Sequence, residues 1–194
     1  MAQMKLNNWF LILIPIIILA TACKTYTPKP KAYPRVIYPE KAYKQIVTDC
    51  NFIFDIPVYS TLQPYTYERR PCWYNLEYTQ FDATLHLSYV SFSNIDELDS
   101  LTEDAYKLAF KHISRAEEII EREVSDTAKG LYGMIYDLEG KTATPFNFYL
   151  TDKKSNFFRG SFYFNTKTER DSVLPIYQFL NEDIIRTIQS FNFK

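Results

Sequence analysis

The segment Leu19-Ala20-Thr21-Ala22-Cys23 closes a twelve-residue apolar run from Trp9 to Ala20, and a single lysine, Lys5, precedes that run. A positive start, a short apolar core interrupted by Pro15, and small residues ahead of a cysteine form the layout of a bacterial lipoprotein leader, too short to span a bilayer comfortably. Processing of such a leader removes residues 1–22 and places acyl chains on the sulfur and new amino terminus of Cys23. Each buried methylene then contributes about 0.8 kcal/mol to membrane anchoring. Ala20 stands three before the cysteine, where Leu is commoner, with Leu19 one step further back. An ordinary secretory leader cut nearby is the alternative. On either reading the folding unit lies within the 172 residues after the leader, enough for one compact domain and a tether.

The whole chain carries a net charge of −1 and the leader contributes only Lys5, so the processed chain is near −2. No global basic field recruits nucleic acid. With 16 Tyr and 15 Phe against 4 Gly, the chain favours a sheet-rich domain with packed aromatics, and no window holds the glycines of a phosphate-binding loop. Two cysteines remain after processing, Cys50 and Cys72, in a compartment where thiols are oxidised. A disulfide between them is expected, closing a loop of 22 residues and stabilising by about 3 kcal/mol on the chain-entropy model. The alternative is a pair of small buried hydrophobes.

Residues 23–44 read as the lipid anchor and a Pro/Lys-rich tether: Lys24, Lys29, Lys31, Arg35, Lys41 and Lys44 oppose one acid, Glu40, among prolines 28, 30, 34 and 39. Its charge suits lipid phosphates, or simply solvates a linker. Position 24 is Lys and no acidic run follows, so the periplasmic face of the outer membrane is the default location. Residues 45–194 form a single domain. Phe52, Phe54, Ile56 and Val58 alternate in one strand, and Trp73–Tyr78 and Phe81–Tyr89 alternate in two more. Spacings of three and four predict a long amphipathic helix from about Ile95 to Glu123, opened by a capping box at Asn94 and Glu97. Ten acids against four bases between 96 and 126 make this stretch acidic, opposite in sign to the tether. Strands follow at Leu131–Leu138, Phe146–Thr151 and Phe157–Asn165, then a second amphipathic helix at Ser172–Phe191. The order predicts an α+β domain: a central antiparallel sheet flanked by two amphipathic helices.

His86 shares a strand face with Thr84 and Ser88, and His112 lies on the apolar stripe of the first helix. Their spacing lacks the close pairs of a zinc site, so no metal is expected; partly buried, hydrogen-bonded histidines fit better. Neither Ser88 nor Ser161 sits in a nucleophile elbow, and no enzyme and no cofactor are expected. Arg159 falls with Phe157, Ser161 and Tyr163 on one side of an aromatic strand. An internal salt bridge is the expectation, with an aromatic-plus-Arg patch offered to a partner as the alternative. Trp73 beside Cys72 is expected to pack against the disulfide rather than contact a ligand. Trp73, His86 and Arg159 are the candidate partner-binding residues.

The leader, Tyr33-Pro34-Arg35, Pro71-Cys72-Trp73, Leu85-His86-Leu87-Ser88-Tyr89, Lys111-His112, Tyr132-Gly133-Met134-Ile135-Tyr136 and Phe158-Arg159-Gly160-Ser161-Phe162-Tyr163-Phe164 together resemble the GldD-type gliding motility lipoproteins of Bacteroidota. Asn51 and Asp55 depart from the Pro and Glu expected there. The resemblance implies a non-catalytic, outer-membrane-associated lipoprotein that supports gliding machinery and type IX secretion. Its partners would be the membrane, through the anchor, and other gliding or secretion envelope proteins. The element order also resembles the PsbP/Mog1-like α/β/α sandwich. The alternative function is a periplasmic ligand-binding or enzymatic domain with a site near His86 and Arg159.

Overall fold

The structure is a computed structural model that describes residues 36–66, 70–111, 116–140, 142, 144–165 and 170–194. Cys23, most of the tether and His112 lie outside the described residues, and so does any meeting of His112 with His86. The elements run β1 (Tyr43–Val47), β2 (Phe52–Pro57), β3 (Thr61–Pro64), β4 (Tyr74–Tyr78), β5 (Ala83–Ser91), α1 (Ile95–Phe110), β6 (Ala116–Asp126), β7 (Leu131–Gly140), β8 (Phe146–Thr151), β9 (Asn156–Phe164), α2 (Arg170–Ser190) and β10 (Asn192–Phe193). Seven strands form one antiparallel sheet in the order β3-β4-β5-β9-β8-β7-β6, and β1-β2-β10 form a smaller one. This is the α+β architecture the alternation and helical spacing predict, a large antiparallel sheet with a helix on each side.

The predicted helix to Glu123 ends instead at Phe110, and residues 116–126 are strand β6. Ile119, Ile120 and Val124 fit either periodicity, but β-branched residues favour the pleated surface. The Asp126–Leu131 connection folds β6 back on β7, Gly130 taking φ +61° and donating its N–H to the Thr127 carbonyl at 3.3 Å. At the other end, β1 begins at Tyr43, two residues before the boundary read from composition.

The principal core lies between the inner face of the large sheet and a layer made of β2 and α2. Phe52, Phe54 and Ile56 of β2 and Leu180, Ile184 and Ile188 of α2 meet Leu76, Leu85, Phe148, Phe158 and Phe162 of the sheet, all buried. Phe191 packs against both Phe52 and Phe158, at 5.8 and 4.6 Å between ring centroids. Period-two alternation in β2, β4, β5 and β9 delivers these aromatics to one face and leaves the intervening polar residues for the other. Cys50 and Cys72 stand at bonding distance with Cα atoms 5.8 Å apart, clipping the approach to β2 against the approach to β4.

Candidate binding surface

Helix α1 covers only part of the outer face. Its capping box is formed: the Glu97 N–H donates to Asn94 Oδ1 at 2.9 Å, and the Ser93 N–H donates back to Glu97 Oε2 at 2.8 Å. From that start, Leu98, Leu101 and Ala105 pack on Phe92, Phe157 and Tyr149, and Ala109 packs on Tyr136 and Leu138. The helix therefore lies over β7, β8 and the start of β9. Among the described residues no helix covers the outer face of β4, β5 and the rest of β9.

Strand register lays that partly exposed area out in rows, with only His86 of the residues named here exposed and Thr84 buried. Asn75, His86 and Ser161 pair side by side across β4, β5 and β9; Ser88 pairs with Arg159, which pairs onward with Tyr149; Glu77 pairs with Thr84 and Thr84 with Tyr163. His86 Nδ1 is 2.8 Å from Asn75 Oδ1, and its ring meets Tyr163 edge-on at 5.2 Å. The imidazole is thus fixed to the neighbouring strand. Burial against the sheet lowers its pKa from the ordinary value, favouring the neutral ring at pH 7, while its outer side reaches solvent. Trp73 donates its indole N–H to the Tyr89 carbonyl at 3.2 Å and packs on Tyr65 and Arg70. These contacts set Trp73 against the flank of β5.

Arg159 overturns the internal salt bridge expected of it. Among the described residues no carboxylate lies within ion-pair distance of its guanidinium, whereas Arg122 reaches Asp137 at 3.3 Å and Arg186 reaches Asp55 at 2.9 Å. Burial lowers the Arg159 pKa from its ordinary value, and the charges of Tyr163 and of Asp104 on α1 oppose that shift. A guanidinium stays charged even so. Arg159 is consequently a partly desolvated cation that feels the charge of Asp104 but has no carboxylate in ion-pair contact among the described residues.

A groove of about 480 Å³, open to solvent, runs between the end of β5 and the first turns of α1, lined by Val90, Phe92, Asn94, Glu97, Ser100 and Leu101. Neither His86 nor Arg159 lines it. Among the described residues no cluster of His, Cys, Asp and Glu could hold a metal ion, and neither Ser88 nor Ser161 hydrogen-bonds to His86. No described helix is long and apolar enough to cross a membrane.

The family model described as gliding motility lipoprotein GldD matches residues 23–193, from the leader cysteine almost to the carboxyl terminus. The chain belongs to that family. GldD is a motility lipoprotein family rather than an enzyme family, which makes this a lipoprotein of the cell envelope with a part in gliding. No curated protein matches the chain. Among solved structures it is similar to cyanobacterial PsbP (CyanoP) from Synechocystis sp. PCC 6803, at 10% identity over 89% of this chain and 99% of that one, with a TM-score of 0.46.

Sequence alternation places His86 and Arg159 on one face of the sheet, with Trp73 beside β5. It passed over Asn75, which joins Tyr163 in completing the surface. The signal was present, since Asn75 and Glu77 alternate with the buried Leu76 and Tyr78 of β4.

Proposed function

We propose that this GldD-family lipoprotein is a non-catalytic scaffold or assembly factor, held at the periplasmic face of the outer membrane by lipid on Cys23 and supporting gliding machinery and type IX secretion. The observation that carries this reading is the polar and aromatic half-face that holds an exposed His86 beside partly exposed Trp73 and Arg159, away from the groove at the start of α1. Open surfaces with aromatic and arginine anchors suit docking, whereas small-molecule chemistry favours a concave site that excludes water. Anchorage adds to the effect: confining the domain to a membrane raises its effective concentration near partners in the same envelope.

The test is a crosslinked pull-down of the lipoprotein from its own envelope, comparing wild type with Cys23→Ala. The expected result is co-purification of gliding or secretion components with wild type and their loss without the anchor. Recovery of a bound small molecule, with no protein partner, would replace scaffolding with ligand binding.

A further inference from the structure

We propose that the uncovered half of the outer face is a docking surface anchored by Arg159, and that it takes a carboxylate side chain of a partner protein set within an otherwise basic surface. The inference rests on the scaffold reading for the class of occupant; the chemistry of that occupant comes from the charges on the face.

Arg159 is half-buried between Ser88 and Tyr149, edges toward Tyr163, and has no ion pair among the described residues. A cation drawn partly out of water without a carboxylate in contact costs free energy that the field of Asp104 offsets in part and an incoming anion would offset further. A guanidinium fork fits a carboxylate in a bidentate fashion, and the hydroxyls of Ser88 and Ser161 beside it can serve the same oxygens. One cation with Asp104 nearby suits a single negative charge better than a phosphate dianion. The face is open at Arg159, so a free small acid would remain largely in water, whereas a protein surface would complete the burial. The rim sets the rest of the partner. Asp96, Asp99 and Asp104 of α1 are exposed and hold no ion pair among the described residues, while Glu103 is taken by Lys107 at 2.8 Å. A complementary surface therefore presents cations to α1 and one acid to Arg159.

The deciding experiment uses the full lipoprotein in its own envelope as wild type, Arg159→Lys and Arg159→Gln. Carbodiimide treatment of Arg159→Lys condenses the introduced amine with any carboxylate in contact, forming an amide with loss of water. The expected product, mapped by mass spectrometry of the crosslinked peptides, joins position 159 to an Asp or Glu of another protein. Recovery of that same protein with Arg159→Gln should fall about ten- to hundredfold, the range for losing a charge-assisted hydrogen bond. Coupling of the amine to this chain's own carboxylates alone, or undiminished recovery with Arg159→Gln, overturns the inference while leaving the scaffold reading intact. Recovery of no protein by any version overturns both. Thermal unfolding of each variant accompanies the test, and should Arg159→Gln unfold, the mapped crosslink decides.

Discussion

Asp183 and Arg159 are charges withdrawn from water on opposite sides of the same sheet, and their surroundings differ in kind. Asp183 lies on α2 with no solvent exposure and accepts from Lys41 Nζ at 2.7 Å, from the Tyr43 hydroxyl at 2.8 Å and from the Tyr59 hydroxyl. Lys41 is held further by the Phe179 carbonyl at 2.6 Å and the Phe179 ring at 3.6 Å. Arg159 has the solvent on one side and no carboxylate partner among the described residues. The inner charge is matched from three directions by the fold itself; the outer one is left to be matched from outside. A buried pair is an uncertain source of net stability but a strong fixer of geometry, and here it fixes Lys41 and Tyr43 onto α2.

Breaking the inner cluster should have the largest effect. Asp183→Ala leaves Lys41 and two tyrosine hydroxyls facing a void, and loss of one member of a buried ion pair costs about 3–5 kcal/mol. Urea denaturation followed by circular dichroism measures it, and a loss below about 1 kcal/mol would mean that Asp183 is no more matched than Arg159. The same cluster predicts a pH dependence. Burial, then the hydrogen bond to Asp183, raises the pKa of Tyr43 and Tyr59 above the ordinary value of 10.0. The folded state thus holds these protons more tightly than the unfolded chain. Their stabilisation is complete below about pH 10, where unfolded tyrosines are still protonated, and is lost as pH rises toward the folded values. Denaturation midpoints should fall between about pH 9 and 11 in wild type and fall less steeply in Asp183→Asn; parallel curves would exclude Asp183 as the cause.

Gly160 sharpens the contrast, because it neighbours Arg159 on β9 and faces the other way. A Cβ there would lie 2.2 Å from Phe148 Cε1, and Phe148 is itself fixed in the core. Gly160→Ala forces that ring to move within close packing and should cost about 1–3 kcal/mol. A thermal-shift measurement showing no loss would mean that the inner face repacks freely.

The alternation of apolar residues made β2, β4, β5, β7, β8 and β9 legible in the sequence, because one face of each is buried in the principal core. It misread β6, which lies at the sheet edge, where an acid-rich strand with adjacent Ile119 and Ile120 satisfies helical spacing as well. Lys41 was legible only as one charge of a basic tether; its partner is 142 residues away in sequence. Asp183 carried a local signal, a carboxylate on the stripe of Leu180, Ile184 and Ile188, but which donors would meet it depends on how β1 folds back over α2. Arg159 failed in the opposite sense. Its placement on a polar-aromatic face could be read from period two, yet whether an acid stands within reach is a property of neighbouring strands and of α1, and no spacing encodes it.

Substitution at Arg159 should therefore have the smallest effect on stability of those considered. Arg159→Gln removes a desolvated charge that no described carboxylate contacts as an ion pair, while retaining a stem of apolar carbons against Tyr149. The change should fall within about 0.5 kcal/mol of wild type, as for surface sites without a committed partner, with the sign favouring the variant because the unmatched charge is gone. Matched urea titrations of Arg159→Gln and Asp183→Asn on the same day, in the same buffer, give the comparison directly. A loss at Arg159 approaching that at Asp183 would mean that the guanidinium is already satisfied within the protein, and the two faces of the sheet would no longer differ in the way their charges are used.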